Sequence, residues 1–187
     1  MYIENYILNP IPLYTRKKLK WLELWINKSD YIINYYNSIR GKYKIIDESI
    51  DYYIVMLEYG IYLLKDYSNY YDDIFMQHSI ILDNGFLLED VKERDFAEYL
   101  KYMFLHVKYD IDVICKIMEE GKYNYDLVVA RLLFPSYYFY YFERVINDKD
   151  YDKMCDIVSR VGEYEIFLKR IVDKINEKKS KKIILPF

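Results

Sequence analysis

Glycine and proline are scarce in this chain, 5 and 4 among 187 residues. Folds made of many short strands use those residues in their turns. Few long loops can be built, and a helical domain is favoured over a strand-rich one. The glycines are scattered, so no loop able to cradle a phosphate can be assembled from them. Walker A, G-x-G-x-x-G, H-E-x-x-H and G-x-S-x-G motifs are all missing. Histidine is rarer still: His78 and His106 are the only two, which leaves a Ser-His-Asp triad without support. Cys115 and Cys155 lie far apart in the apolar helical patterns DVICKIM and KMCDIV. They read as small buried core residues, and two thiols without a CxxC do not argue for zinc. Neither a metal nor a cofactor is expected.

A dominant charge sign is missing too. The net charge is −3, with acidic and basic residues mixed along most of the chain. That leaves no basic face for nucleic acid and no strong steering field. Paired carboxylates such as Asp72-Asp73 and Glu119-Glu120 read as solvated. There is no signal peptide and no run of about 18 apolar residues. The expectation is a protein with no membrane contact, cytoplasmic or attached to something assembled from the cytosol.

What the chain has in quantity is apolar surface. Hydrophobic residues make up 53%, enough for a sizeable core and too many for wholesale disorder. Tyrosine is the extreme case, at 25 residues. Ile, Asn and Lys are abundant as well, the signature of A/T-rich codons. Many tyrosines then stand where Phe or Leu would, half-buried with the hydroxyl toward solvent.

Spacing along the chain predicts helices. Pro10 and Pro12 force an extended entry, an N-terminal arm over residues 1–12. From about Leu13 the pattern becomes helical, with Leu19, Leu22 and Ile26 on one stripe flanked by Trp21 and Trp25. Ser29-Asp30 offers a cap for a second run through Ile33 and Tyr36, which Gly41 ends. Asp47 opens a helix with Ile50, Tyr53, Ile54, Leu57, Ile61 and Leu64 on one face. Asp83-Asn84-Gly85, between SIIL and FLLED, has the residues of a tight hairpin turn. Phe96, Leu100, Met103, Phe104 and Val107 form the next stripe, and Ile111, Ile114, Ile117 and Met118 another, stopped by Gly121. Pro135 breaks one long helix into two. Tyr164, Phe167, Leu168, Ile171, Val172 and Ile175 form the last stripe, before a basic and apolar tail over residues 176–187 whose plain reading is a frayed, solvated end. The sum is an all-α single domain spanning 1–187, with at most one short β-hairpin.

Four segments, in order, carry a resemblance: NPIPLYTRKKLKWLELW, DYYIVMLEYGIYLLKD, RDFAEYLKY and ARLLFPSYYFYYFERVI. Together they resemble the C-terminal lobe of the spore-coat branch of aminoglycoside-phosphotransferase-like, kinase-like proteins, over most of residues 10 to 175. Each segment is short, and their order and spacing carry the likeness. The resemblance implies a catalytic loop in which an Asp two residues after a His takes the substrate proton, and a later Asn and Asp hold magnesium. Counted from His78, the proton-accepting position is Ile80, which can neither take a proton nor orient a hydroxyl. Asn84 falls one residue short of the family spacing, and Asp90 follows too soon for the second metal ligand. No nucleotide-binding lobe precedes these segments in the chain. His78, Ile80, Asn84 and Asp90 thus outline a degenerate catalytic loop, with no catalytic residue left.

Asp95 in the third segment is expected to be structural, as a helix cap or first-turn carboxylate, and so is Pro135. Leu82, Phe86, Leu87 and Leu88 form a candidate interface, because the family covers this surface with the missing lobe. The resemblance therefore implies a pseudokinase-like module acting through protein–protein contacts, with a protein partner or as a homodimer, in a spore-coat setting. Two alternatives stay open. One is a small-molecule phosphotransferase completed by a nucleotide-binding lobe on another chain, and the other an unrelated helical phage or toxin–antitoxin protein.

Overall fold

A computed structural model describes residues 21–65, 92–106, 109–147 and 149–187, together with the backbone of four two-residue strands. The apolar stripes become eight helices among the described residues: α1 (Trp21–Ile39), α2 (Lys44–Lys65), α3 (Lys92–His106), α4 (Ile111–Glu120), α5 (Tyr125–Leu133), α6 (Ser136–Val145), α7 (Tyr151–Ser159) and α8 (Val161–Lys178). The strands make two minimal antiparallel ladders. β1 (Leu13–Tyr14) pairs with β2 (Met76–Gln77), and β3 (Ile80–Ile81) with β4 (Leu87–Leu88), in the register Ile80 to Leu88 and Ile81 to Leu87. They are too small to alter the all-α class. The helical expectation from Leu13 needs correction at that residue: after Pro12 the chain stays extended for two residues and finds a strand partner. The turn residues Asp83-Asn84-Gly85 lie outside the described residues, as do Leu19 and Val107.

Helix α5 is the hub. Seven consecutive residues, Leu127 to Leu133, are buried, and the helix packs against α2, α3 and α8. A helix apolar on all sides belongs in the interior. Arg131 is the exception in this run, a cation carried into the core. Asn124 caps α5 by accepting from the backbone N–H of Asp126 and Leu127, and Asp110 caps α4 in the same way. Around this hub α1 packs on α2, α6 on α7, and α4 on α8. One hydrophobic cluster runs through all of them.

Three local expectations need correction. Ser29-Asp30 caps nothing: α1 continues through it, because Trp21, Trp25, Ser29 and Ile32 share one buried face. That face belongs to the tryptophans rather than to the stripe of Leu22 and Ile26; Leu22 is half-buried and Ile26 is 42% exposed. Gly121 stops α4 as expected, at φ −76°, with Lys122 taking the positive φ. Glycine is required there because a Cβ would sit 2.3 Å from the Tyr123 ring. Gly41, at φ 82°, is the left-handed residue that ends α1. Asp47 does not open α2, which begins at Lys44; it lies in the first turn and accepts from the Gly41 backbone N–H at 3.1 Å.

The C-terminal segment is not frayed. Ile183 is 6% exposed and packs into the core. The Asn176 side chain clasps it, donating to the Ile183 carbonyl and accepting from its N–H, both at 2.8 Å. Lys179 reaches Asp126 on α5 at 2.5 Å, and the Phe187 ring lies 6.3 Å from that of Tyr52. The basic run is anchored by acidic partners on the body, and the apolar run finds the side of α2.

Candidate functional site

The four segments that carry the resemblance meet in space. From RDFAEYLKY come Glu98 and Lys101, one helical turn apart and both buried. From ARLLFPSYY come Arg131, the Phe134 carbonyl and Ser136. Arg131 donates to Glu98 Oε1 at 2.8 Å. Lys101 donates to the same oxygen at 3.2 Å, to the Phe134 carbonyl at 2.7 Å and to Ser136 Oγ at 3.1 Å. Ser136 in turn donates to Glu98 Oε2 at 3.2 Å.

The first segment supplies Trp21 and Trp25, whose rings stack 5.9 Å apart. The Arg131 guanidinium lies 5.2 and 5.3 Å from their centroids and 5.0 Å from that of Phe134. A desolvated cation gains from such ring faces. The second segment supplies Tyr53, stacked on Tyr138 at 3.7 Å, while Ser49 just before it meets the Tyr138 hydroxyl at 2.9 Å.

The electrostatics follow from burial. Removal from water pushes the Glu98 carboxyl up, but Lys101 and Arg131 outweigh that and hold it at about 2. Burial lowers the Lys101 ammonium to about 8, against the pull of Glu98 and with the help of Arg131. The cluster is thus a fixed carboxylate between two cations, each tied to further acceptors or rings. Its geometry suits holding α3, α5, α6 and α1 together. A general base needs a carboxylate with room for a substrate proton, and both Glu98 oxygens here are already hydrogen-bonded.

Above this network lies a cavity of about 60 Å³ lined by Tyr52, Tyr53, Phe104, Phe134, Tyr138 and Tyr164, with Lys101 and Ser136 at its wall. The Tyr164 hydroxyl donates to the Leu132 carbonyl at 2.7 Å. Arg160 seals another side: it donates to the carbonyls of Phe104 and Leu105 at 3.0 and 3.2 Å and to Glu163 at 3.0 Å. It also stands 4.5 Å over the Phe104 ring. Its contacts satisfy the last carbonyls of α3.

Of the site residues singled out from sequence, only Pro135 borders this network, between Phe134 and Ser136 and in the cavity wall; none of the others takes part in its contacts among the described residues. His78, Asn84, Asp90, Leu82 and Phe86 are outside the described residues. Ile80 is in β3, and Leu87 and Leu88 are in β4. Asp95 is the fourth residue of α3, past the cap position, in the first turns of the helix. Pro135 separates α5 from α6. His106 ends α3.

Cys115 and Cys155 are half-buried rather than sealed in the core. For Cys115 the reason is register: it sits on the flank of the Ile114, Ile117 and Met118 face. Glu119 pairs with Lys178, and Glu120 with Lys116 at 3.7 Å. Among the described residues no group of three or more His, Cys, Asp or Glu side chains is placed to hold a metal ion, and no helix is long and apolar enough to cross a membrane.

Periodicity had not marked Glu98, Lys101 and Arg131. A signal was present for one of them: Arg131 interrupts LVVARLLF. A charge at a core position demands an opposite charge at another.

No protein-family model matches the chain, and neither the curated proteins nor the solved structures contain a significant match.

Proposed function

We propose that this chain is a non-catalytic, kinase-C-lobe-like helical module that acts through protein contacts, with a protein partner or as a homodimer, in a spore-coat setting. One observation supports this reading above the others. The polar residues within the family-like segments are engaged with each other, in the Glu98, Lys101, Arg131 and Ser136 network, so what those segments preserve is scaffold. The position that aligns with the proton acceptor of a phosphotransferase is Ile80. The outer side of α1 adds surface suited to a contact, with Leu24 57% and Tyr31 47% exposed two turns apart.

Two measurements test it. Calorimetric titration of the purified chain with magnesium-ATP is expected to give no binding tighter than about 1 mM, roughly 4 kcal/mol of binding free energy. Tighter, magnesium-dependent binding overturns the non-catalytic reading. Light scattering is expected to show self-association, or complex formation with a co-purified coat-type protein, that Leu87→Asp and Leu88→Asp both weaken. A monomer whose partner capture ignores both substitutions removes this surface as the interface.

A further inference from the structure

Lys28 on α1 and Glu143 on α6 join the outer sides of two helices. Ammonium and carboxylate lie 2.5 Å apart across 115 positions of chain, and both side chains stay partly open to solvent. Beneath them the Tyr35 and Phe142 rings meet edge-on at 6.1 Å. Leu24 and Tyr31 stand four residues before Lys28 and three after it, so the three share one face of α1. Tyr140 stands one turn before Glu143 on α6. Leu24, Tyr31 and Tyr140 are each about half exposed. The result is one patch over α1 and α6, rings and hydrocarbon around an ion pair.

These side chains are held in place before any contact is made. Lys28 lies 5.1 Å from the Tyr31 centroid, and Tyr35 stacks on Tyr31 at 5.9 Å. Arg144 donates to the Tyr140 hydroxyl at 3.2 Å, stands 5.4 Å from that ring and is paired with Asp150. Groups already fixed lose little freedom on association, and tyrosine and arginine are the residues that most often anchor an interface.

Charge names the occupant. Lys28 and Arg144 are matched here by Glu143 and Asp150. A face of one dominant sign repels its own copy and selects an opposite partner; a balanced face does not. Because Lys28 and Glu143 are adjacent, a two-fold axis between them sets Lys28 of each copy against Glu143 of the other, as an isologous contact requires.

We propose that two copies of this chain meet on the α1–α6 face, about a two-fold axis at the Lys28–Glu143 pair, with Leu24, Tyr31 and Tyr140 packed across it. This rests on the reading that the chain acts through protein contacts, and gives the homodimer to residues other than Leu87 and Leu88. The patch is small, so the dimer is weak and reversible.

Sedimentation equilibrium of the full chain is expected to show monomer and dimer exchanging with a dissociation constant on the order of 100 μM. Lys28→Glu and Glu143→Lys each set like charges across the axis, and each is expected to weaken self-association about tenfold. An equimolar mixture of the two variants is expected to associate at least as tightly as the unmodified chain, since each then offers the charge the other lacks. A bond confined to one chain would leave the mixture as monomeric as its components. Tyr140→Asp is expected to abolish the dimer with an unchanged helical spectrum, and Leu24→Asp replaces it where that protein does not fold. A chain that stays monomeric up to about 1 mM overturns the proposal, and so does a dimer indifferent to these substitutions or a mixture that does not associate. A dimer lost only with Leu87→Asp also overturns it, while the protein-contact reading stands.

Discussion

Glu98 and Arg131 are 33 positions apart in the chain and 2.8 Å apart in space, carboxylate to guanidinium, with side chains only about a tenth exposed. Leaving either alone in the interior strands a charge, which costs about 3–5 kcal/mol. Glu98→Ala is therefore expected to destabilise the fold by that amount in urea unfolding, since it strands Lys101 as well. A concerted Glu98→Leu, Lys101→Met, Arg131→Met replacement is expected to recover most of the loss, because apolar residues of similar volume fill the same space.

Acid should weaken the fold through the same carboxylate. The Glu98 pKa falls from 4.5 to about 2 on folding. A group whose folded value is depressed contributes stability that is complete above its unfolded value and lost as pH drops through the folded one. The contribution, about 3 kcal/mol, is expected to disappear between about pH 4.5 and pH 2. Unfolding free energies measured across that window should show the slope, and Glu98→Gln should flatten it.

Alkali should act through the tyrosines. Burial raises the hydroxyl pKa of Tyr52, Tyr53, Tyr137, Tyr138 and Tyr164. In the unfolded chain these groups ionise near 10, so above that pH the unfolded state holds fewer protons and stability falls. Lys101, lowered from 10.5 to about 8, works in the other direction between those values. The expected result is a stable plateau, then cooperative unfolding above about pH 10. Tyrosinate absorbance and helical ellipticity should change together rather than in sequence.

Gly60 lets α2 approach α5 and the Trp25 ring closely. A Cβ there would lie 3.2 Å from the Ala130 carbonyl oxygen and 3.3 Å from the Trp25 ring. Neither the backbone of a buried helix nor a stacked indole can withdraw easily. Gly60→Leu is expected to cost about 1–3 kcal/mol by overpacking, despite the better helix propensity of leucine. The midpoint of thermal unfolding reads it directly.

The C-terminal clasp should contribute in proportion to what it buries. Ile183→Ala is expected to cost about 2 kcal/mol, at the low end for a core truncation. Asn176→Ala loses two hydrogen bonds worth about 1 kcal/mol each. Amide exchange at Ile183 should become fast in both variants while the core of α5 stays protected.

Helix existence could be read along most of the chain, because burial on one face imposes a 3.6-residue period wherever a helix is amphipathic. The stripes of α2, α4 and α8 are of this kind, while the break at Pro135 and the stop at Gly41 were legible from the residue types themselves. Periodicity fails where a helix has no outer face. In α5 every position from Leu127 to Leu133 is buried, so no period exists to find, and the hub of the fold looks like a plain apolar run. It fails again in α1, where Leu22 and Ile26 are as apolar as Trp21 and Trp25. The partners that meet the inward side come from distant helices: α2, where Gly60 admits the Trp25 ring, and the Phe134 ring and Arg131 guanidinium. The same holds for the tail, whose lysines and isoleucines would fray in isolation; Asp126, Asn176 and the side of α2 give them somewhere to dock. Sequence determined that most of the helices exist and where Gly41, Gly121 and Pro135 stop them, since those stops depend on neighbours within a turn or two. The charge network, the aromatic cavity and the clasped tail depend on partners tens of residues away, and only the packed chain brings those partners together.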